Sequence, residues 1–74
     1  MYKGIINPGE KIPSLEGNYM IRLFVDDKIV VSPLPISALK KRLKCGFRDS
    51  DGEYYPLYDD EKGALKKLII ENPF

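Results

Sequence analysis

The strongest constraint on the fold lies in residues 19–32, where two apolar runs flank a pair of aspartates. Residues 19–25 read Tyr-Met-Ile-Arg-Leu-Phe-Val, apolar at every position but the fourth, which is typical of an internal strand. Asp26 and Asp27 follow, and then residues 28–32 supply β-branched side chains. Two such runs separated by two turn-forming residues predict a tight antiparallel hairpin, with residues 19–25 as the core strand.

A helix is predicted to follow this hairpin. Pro33 and Pro35 have no backbone N–H to donate and are expected to stop the second strand. Ser37 suits the N-cap of a helix, and apolar side chains then recur at spacings of three and four. Because Gly46 provides a C-terminal stop, the first helix is expected at about residues 37–45.

The C-terminal third predicts a second hairpin and a second helix. Residues 46–58 carry aromatic side chains on both sides of an Asp-Ser-Asp-Gly turn, and Pro56 is expected to push the later arm toward an edge. Residues 60–71 start with acidic side chains and continue with an apolar face at helical spacing, which predicts a helix. Gly63 counts against a helix here, and residues 68–70 could instead form a terminal strand.

Together these elements predict an α+β fold in which a small antiparallel sheet carries two helices on one face. The chain of 74 residues is expected to form a single domain, because it is too short for two separate cores. Phe24 is expected in the core. The predicted elements are an edge strand at 2–6, the hairpin 19–32, the second hairpin 46–58, and helices at about 37–45 and 60–71.

The composition argues against several classes of function. The chain has no histidine and a single cysteine, Cys45, so it lacks the commonest general base and the commonest metal ligand. No catalytic residue, metal site or cofactor is therefore predicted, and we do not expect an enzyme. No apolar run reaches the ~18 residues of a membrane span, and an unpaired thiol suits a reducing compartment, so a cytoplasmic protein without membrane contact is expected.

Charge is strongly segregated along the middle of the chain. Residues 40–48 carry five basic side chains and no acidic one, whereas residues 49–61 carry six acidic side chains and no basic one. On a helix with its apolar stripe facing inward, Arg42 is expected to face outward, and the other bases line one flank as a basic ridge. The ridge consists of Lys40, Lys41, Lys44 and Arg48. One interpretation is that the ridge contacts phosphates or an acidic partner. The other is that it is a solvated face, on which the aliphatic parts of the lysine side chains cover the edge of the core.

Three tyrosines stand close together beside the acidic turn. Tyr54, Tyr55 and Tyr58 offer rigid contact area with a polar tip, a chemistry enriched at interfaces. Neighbours in a strand point to opposite faces, so Tyr54 and Tyr55 are not expected to be buried together, and Tyr55 is expected to be the more exposed. The alternative to a binding role is that two of the three tyrosines belong to the core.

These features predict a small non-enzymatic protein-interaction or regulatory module of the adaptor or inhibitor type. A protein partner is expected, and the chain itself is expected to be a monomer or a homodimer. The alternative is a nucleic-acid-binding module that uses the basic helix from Lys40 to Arg48, although the acidic loop beside it argues against phosphate binding. The predicted partner-binding residues are Lys40, Lys41, Lys44, Arg48, Tyr54, Tyr55 and Tyr58.

Overall fold

The fold is an antiparallel sheet covered on one face by a short helix and a loop. The computed structural model of the protein describes residues 3–43 and 46–72. Its elements are β1 (Lys3–Ile6), β2 (Asn18–Val25), β3 (Lys28–Pro35), α1 (Ile36–Arg42), β4 (Phe47–Arg48), β5 (Tyr54–Tyr55), β6 (Tyr58–Asp59) and β7 (Gly63–Glu71). The main sheet has the order β1-β7-β2-β3, with β6 pairing onto the start of β7. The predicted α+β class is therefore confirmed.

The predicted hairpin 19–32 is present and is longer than expected. Strands β2 and β3 pair continuously from Asn18 opposite Pro35 to Val25 opposite Lys28. The two residues between them, Asp26 and Asp27, have φ angles of 46° and 66°. Positive φ at both central residues marks a type I′ turn, whose twist matches that of the flanking strands.

The expectation that two prolines stop the second strand is wrong. Pro33 and Pro35 lie within β3, opposite Met20 and Asn18. Strand β3 is the outer strand of the sheet, and a spacing of two places both proline nitrogens on the same edge. A proline whose nitrogen faces away from the neighbouring strand removes no hydrogen bond from the ladder, which is why an edge strand tolerates it.

The second predicted helix, at residues 60–71, is also wrong. Residues 60–62 form a turn, and the remainder is β7, a central strand between β1 and β2. Gly63 begins this strand with a φ of 108°, a left-handed value that an α-helix does not contain. The alternative noted for residues 68–70, a terminal strand, is correct.

A bulge in β7 explains why its sequence resembled a helix. Phe24 of β2 pairs with Lys67, whereas the next residue, Val25, pairs with Leu65, so one residue of β7 is left over. The extra residue lets Leu65 and Leu68, three positions apart, both point into the core. Three-residue spacing of buried leucines is the signal that an amphipathic helix would also give.

The first helix is present but shorter than the predicted 37–45. It spans Ile36–Arg42, and the N-cap position is held by Pro35 without a side-chain hydrogen bond, so Ser37 is not the cap. The backbone N–H of Gly46 donates to the carbonyl of Leu43 at 3.0 Å, near the predicted stop. Residues 44 and 45, which include the predicted end of the helix, lie outside the described residues.

The second hairpin, predicted at 46–58, is present as the short pair β4 and β5. Phe47 lies opposite Tyr55, and Arg48 lies opposite Tyr54. Gly46 approaches the backbone of Tyr55 so closely that a Cβ there would overlap the Tyr55 carbonyl oxygen. This hairpin forms a separate small sheet and does not extend the main one.

The core fills the space between the main sheet, α1 and the loop of residues 7–17. Ile12 of that loop is fully buried, and its N–H donates to the carbonyl of Tyr54 at 2.9 Å. The loop is thereby attached to the second hairpin as well as to the sheet. The buried apolar residues are Ile6, Ile12, Tyr19, Ile21, Leu23, Val25, Ile36, Leu39, Leu43, Leu65, Leu68 and Ile70.

The opposite face of the sheet carries no helix in the described chain, because α1 packs over the core side. Strand β2 alternates accordingly, so that Leu23 is buried whereas Phe24 is only half-buried and does not belong to the core. We call this second surface the open face. Its residues are Lys3, Ile5, Met20, Arg22, Phe24, Ile29, Val31, Pro33, Lys67, Ile69 and Glu71.

Candidate functional site

Four of the seven predicted binding residues meet at one groove between α1 and the β4–β5 hairpin. The groove has a volume of about 330 Å³ and is open along one side. Helix α1 contributes two lysines and a serine, and the hairpin contributes the remainder. We call it the basic groove, and its lining residues are Ser37, Lys40, Lys41, Arg48, Gly52 and Tyr54.

Two local features of the sequence bring these side chains to the groove: the apolar stripe of α1 and the pairing of β4 with β5. Ile36 and Leu39 bury the apolar stripe of α1, which leaves Lys40 and Lys41 on the side that faces the hairpin. Arg48 and Tyr54 are directly opposite each other in the β4–β5 pair and therefore share one face. The Arg48 guanidinium carbon lies 5.2 Å from the centre of the Tyr54 ring, within the range of a cation–π contact.

The charges of the groove are only partly balanced. Lys40 Nζ lies 3.7 Å from Oε2 of Glu53, an ion pair without a hydrogen bond. Within residues 3–43 and 46–72, neither Lys41 nor Arg48 has an acidic partner, and both side chains are exposed. The rim of the groove therefore carries positive charge that nothing in the described chain neutralises.

Tyr54 and Tyr55 point to opposite faces of the hairpin, as the strand pattern requires. Tyr54 packs against the core and forms a wall of the groove. Tyr55 lies outside the groove, where its ring stacks on Phe47 with the centroids 4.6 Å apart and the planes 3° from parallel. Both tyrosines fall in the same half-buried range, so exposure does not distinguish Tyr55 from Tyr54. Half-exposed Phe47 was not among the predicted binding residues.

Asp49 holds the turn of the second hairpin together. Its Oδ1 accepts hydrogen bonds from the backbone N–H groups of Asp51 and Glu53, and its Oδ2 accepts one from the Tyr55 hydroxyl at 2.9 Å. The N–H of Glu53, followed by the Tyr55 hydroxyl, lowers the pKa of the Asp49 carboxyl. The same carboxylate raises the pKa of the Tyr55 hydroxyl. This network fixes the hairpin that forms one side of the groove.

The remaining predicted residues do not line the groove. Tyr58 lies in β6, pairs with Ala64 of β7 and is 43% exposed. Lys44 falls outside the described residues. The predicted set thus divides into a groove group (Lys40, Lys41, Arg48 and Tyr54), the stacked Tyr55, and the distant Tyr58.

Arg42 does not face outward as predicted. Its side chain is 17% exposed, and its Nε donates to Oδ2 of Asp59, a carboxylate that is completely buried. Oδ1 of Asp59 also accepts the backbone N–H groups of Glu61 and Lys62 at 2.8 Å. Asp59 was not singled out from the sequence as a site residue. The signal that could have found it is an aspartate directly before a turn, because such a side chain accepts the backbone N–H groups two and three residues further on.

Comparisons with known proteins found no relative from which a function of the site could be inferred. The chain matches no protein-family model, and neither the curated proteins nor the solved structures gave a significant match. In the described ranges, no helix is long and apolar enough to cross a membrane. Among the same residues, no cluster of three or more metal-ligating side chains is present.

Proposed function

We propose that this chain is a non-enzymatic, cytoplasmic protein-interaction module that binds an acidic segment of a partner protein in the basic groove. The observation that carries the proposal is the convergence of Lys40, Lys41, Arg48 and Tyr54 on one open groove. These residues come from three separate elements, α1, β4 and β5, and all four are among the binding residues predicted from the sequence. Their convergence is therefore more than a run of neighbouring lysines on one helix.

The chemistry of the groove suits an extended acidic peptide. Lys41 and Arg48 supply unneutralised positive charge at the rim, where carboxylates gain attraction while remaining partly hydrated. The Arg48 guanidinium lies over the Tyr54 ring, and the planar Arg48 and Tyr54 side chains together form a flat wall for aliphatic or aromatic side chains. An open cleft of this kind encloses little of a small molecule but can contact several residues of a peptide in succession.

A nucleic acid is a poorer occupant of the same groove. Phosphate backbones are bound by several cations with aromatic platforms between them. Here Lys40 already pairs with Glu53, and Asp49 and Asp51 stand in the adjoining turn. A phosphate chain carries a charge at every step and would be repelled by these carboxylates. A peptide can place its carboxylates at Lys41 and Arg48 and apolar side chains elsewhere along the groove, so the protein partner is favoured.

The proposal is tested by peptide binding to groove variants. The probe is a fluorescently labelled peptide of alternating Glu and Leu residues, and its affinity is measured by fluorescence anisotropy. Replacing Lys41 and Arg48 together with Ser should weaken binding about tenfold, because two rim charges contribute roughly 0.5–1 kcal/mol each. The matched control replaces Lys28 and Lys62, which line a different depression beside the β2–β3 turn.

Two results would reject the protein-binding proposal. One is equal peptide affinity in the wild type, the groove variant and the control variant. The other is binding of duplex DNA in place of the peptide, with log K falling steeply with log salt at about −0.9 per phosphate contact. If the groove variant abolished that DNA binding, the nucleic-acid function would take its place.

A further inference from the structure

The two edges of the main sheet differ in whether another strand can pair with them. Strand β3 forms one edge, and β1 with the short β6 forms the other. On β3, Pro33 and Pro35 have no N–H to donate, and prolines along an edge prevent a further strand from pairing there. The described strand β1, Lys3–Ile6, contains no proline and pairs with β7 without a bulge. Of the two edges, β1 is therefore the one that a partner strand can use.

The register of the sheet shows which way the backbone groups of each strand point. The N–H of Ile36 donates to the carbonyl of Gly17 at 3.4 Å, so every second residue of β3 counted from Ile36 points toward β2. The residues between them, including Pro33, point away from β2. The same alternation carried across the sheet directs the backbone groups of Met20 toward β7 and those of Glu71 toward β2.

Lys3 and Ile5 are the residues of β1 whose backbone groups face outward. Lys3 lies opposite Glu71 and Ile5 lies opposite Ile69, and the backbone groups of both partners point toward β2. Within residues 3–43 and 46–72, no strand pairs with the outer side of β1, and the N–H and C=O groups of Lys3 and Ile5 bond no other backbone group. An antiparallel strand added to this edge would therefore exchange both hydrogen bonds with each of the two residues.

The side chains of the same two residues lie on the open face and are accessible. Ile5 is 57% exposed, and the side chain of Lys3 is 78% exposed. Lys3 Nζ lies 3.7 Å from Oε1 of Glu71, which is too long for a hydrogen bond, so the ammonium donors of Lys3 are available to another acceptor. A strand added to β1 would place one side chain beside Lys3 and another beside Ile5.

An open depression beside β1 indicates which side chains these should be. It has a volume of about 480 Å³, and its lining residues are Lys3, Gly4, Ile5, Arg22, Ile69 and Glu71. Arg22 and Glu71 are joined by a hydrogen bond, so the charge left unmatched in the depression is that of Lys3. The depression therefore suits an apolar side chain next to the two isoleucines and a carboxylate next to Lys3.

A second copy of this chain is a poor occupant of the edge. The open face carries three cations, Lys3, Arg22 and Lys67, and a single carboxylate, Glu71. A copy added edge to edge would extend this face and double its surplus of positive charge. Strand β1 itself reads Lys-Gly-Ile-Ile, so pairing it with its own copy offers no carboxylate to Lys3 in any register.

We propose that β1 is a docking edge to which an extended segment of a different protein adds as an antiparallel strand, with an apolar residue opposite Ile5 and a glutamate opposite Lys3. Because paired strands run in opposite directions, the apolar residue stands two positions before the glutamate in the partner's sequence. Main-chain hydrogen bonds supply the attraction, and these two side chains supply the selectivity. The basic groove is lined by α1 and the second hairpin, so the proposal does not depend on it.

An NMR titration with a strand-forming peptide tests the edge directly. The probe is a cyclic hairpin peptide in which one strand reads Thr-Ile-Thr-Glu-Thr, since a preformed strand loses less conformational freedom on binding. The amide signals of Lys3 and Ile5 should shift and their hydrogen exchange should slow, whereas the outward amides of Ile29 and Val31 on β3 should not change. A peptide with Lys in place of Glu should bind about fivefold more weakly, because it sets like charges opposite each other.

Two matched proline substitutions distinguish the two edges. Ile5→Pro removes an outward N–H of β1 and no hydrogen bond of the ladder between β1 and β7, so the protein should fold but bind the peptide at least about tenfold more weakly. Ile29→Pro removes an outward N–H of β3 at an isoleucine that is 59% exposed. Its affinity for the peptide should stay within about twofold of the wild type, because that edge is already blocked. Equal affinity of the two variants would reject β1 as the docking edge.

A charge exchange keeps the proposal testable if Ile5→Pro fails to fold, which circular dichroism would reveal. Lys3→Glu should reverse the preference, so that the Lys peptide binds more tightly than the Glu peptide. Lys62→Glu, at an exposed site outside β1, should keep the preference of the wild type.

Three further results would overturn the proposal. The first is a Lys3→Glu variant that still prefers the Glu peptide. The second is the absence of any shift in the β1 amide signals at about 2 mM peptide. The third is a wild type that dimerises without peptide and an Ile5→Pro variant that stays monomeric, since the occupant would then be a second copy. Replacing Lys41 and Arg48 with Ser should leave binding at β1 unchanged, so this proposal and that for the basic groove fail independently.

Discussion

Oδ2 of Asp59, a completely buried carboxylate, accepts a hydrogen bond from Nε of Arg42 at 2.9 Å. The contact joins the last residue of α1 to the last residue of β6, which are seventeen positions apart in the chain. Since the Asp59 carboxylate also binds the N–H groups of Glu61 and Lys62, its charge is fully satisfied. This contact holds in place the helix that carries the lysines of the basic groove.

Replacing Asp59 with Ala should strongly destabilise the protein. The substitution removes the nearer of the two carboxylates that contact a largely buried guanidinium, leaving Glu61 at 3.8 Å, and removes the acceptor of two backbone donors of the turn, so we expect a cost of about 2–4 kcal/mol. Lys66→Ala is the control, because it breaks an exposed ion pair with Asp27 and should cost at most about 1 kcal/mol. Urea unfolding measures both, and equal costs would show that the buried pair contributes nothing special.

The sequence predicted those parts of the fold that depend on local signals. Two aspartates between apolar runs predicted the β2–β3 hairpin, because a two-residue turn and a period of two act within about fourteen positions. The first helix, the second hairpin and the edge strand β1 also follow from nearby residues. The groove group could be found for the same reason, since helical spacing aligned the lysines and a short hairpin brought Arg48 beside Tyr54.

The parts that failed depend on pairing between distant segments. Nothing near Lys66 shows that β7 has a bulge opposite Phe24 and Val25, and without the bulge the spacing of Leu65 and Leu68 resembles that of a helix. The prediction placed both helices on one face of the sheet, whereas in the structure that face carries α1 and the loop of residues 7–17, and residues 63–71 form a central strand of the sheet itself. Phe24, which was expected in the core, lies on the open face.

For two neighbouring residues of β2, replacing the smaller side chain with Ala should destabilise the protein more than replacing the larger one. Leu23 is 1% exposed and lies in the core, so Leu23→Ala should cost about 2–5 kcal/mol and unfold much of so small a domain. Phe24 is larger but lies on the open face, so Phe24→Ala should cost less than Leu23→Ala. The sequence alone predicted that Phe24→Ala would unfold the protein.

Thermal melting of both variants at low protein concentration distinguishes the two expectations, because dilution removes any contribution of a dimer to the stability. A Phe24→Ala variant that melts below Leu23→Ala would show that the second face is covered. Ile29→Ala, on the same face and in the neighbouring strand, is the matched comparison and should also melt close to the wild type.

The contact between Asp49 and Tyr55 should make stability depend on pH at both ends of the scale. The pKa of Asp49 is lowered from its ordinary value of 3.8, so its contribution to stability is present above that value and is lost as the pH falls through the lowered pKa. The pKa of Tyr55 is raised from 10.0, so its contribution is present below that value and is lost as the pH rises through the raised pKa.

Tyr55→Phe tests the pH dependence of stability at both acid and alkaline pH, because it removes the hydroxyl and keeps the ring that stacks on Phe47. Melting temperature measured against pH should fall less steeply on the alkaline side in the variant. On the acid side the loss of stability should shrink but persist, since Asp49 keeps the hydrogen bonds from the N–H groups of Asp51 and Glu53, and the N–H of Glu53 lowers its pKa most. Tyr54→Phe is the control, because the hydroxyl of Tyr54 has no such bond to a carboxylate within residues 3–43 and 46–72. An absorbance titration should contain a component from Tyr55 that ionises above pH 10, and this component should persist in Tyr54→Phe and disappear in Tyr55→Phe. If the high titration instead disappeared with Tyr54→Phe, the hydroxyl bound to Asp49 would belong to the other tyrosine, and the two faces of the hairpin would have to be exchanged.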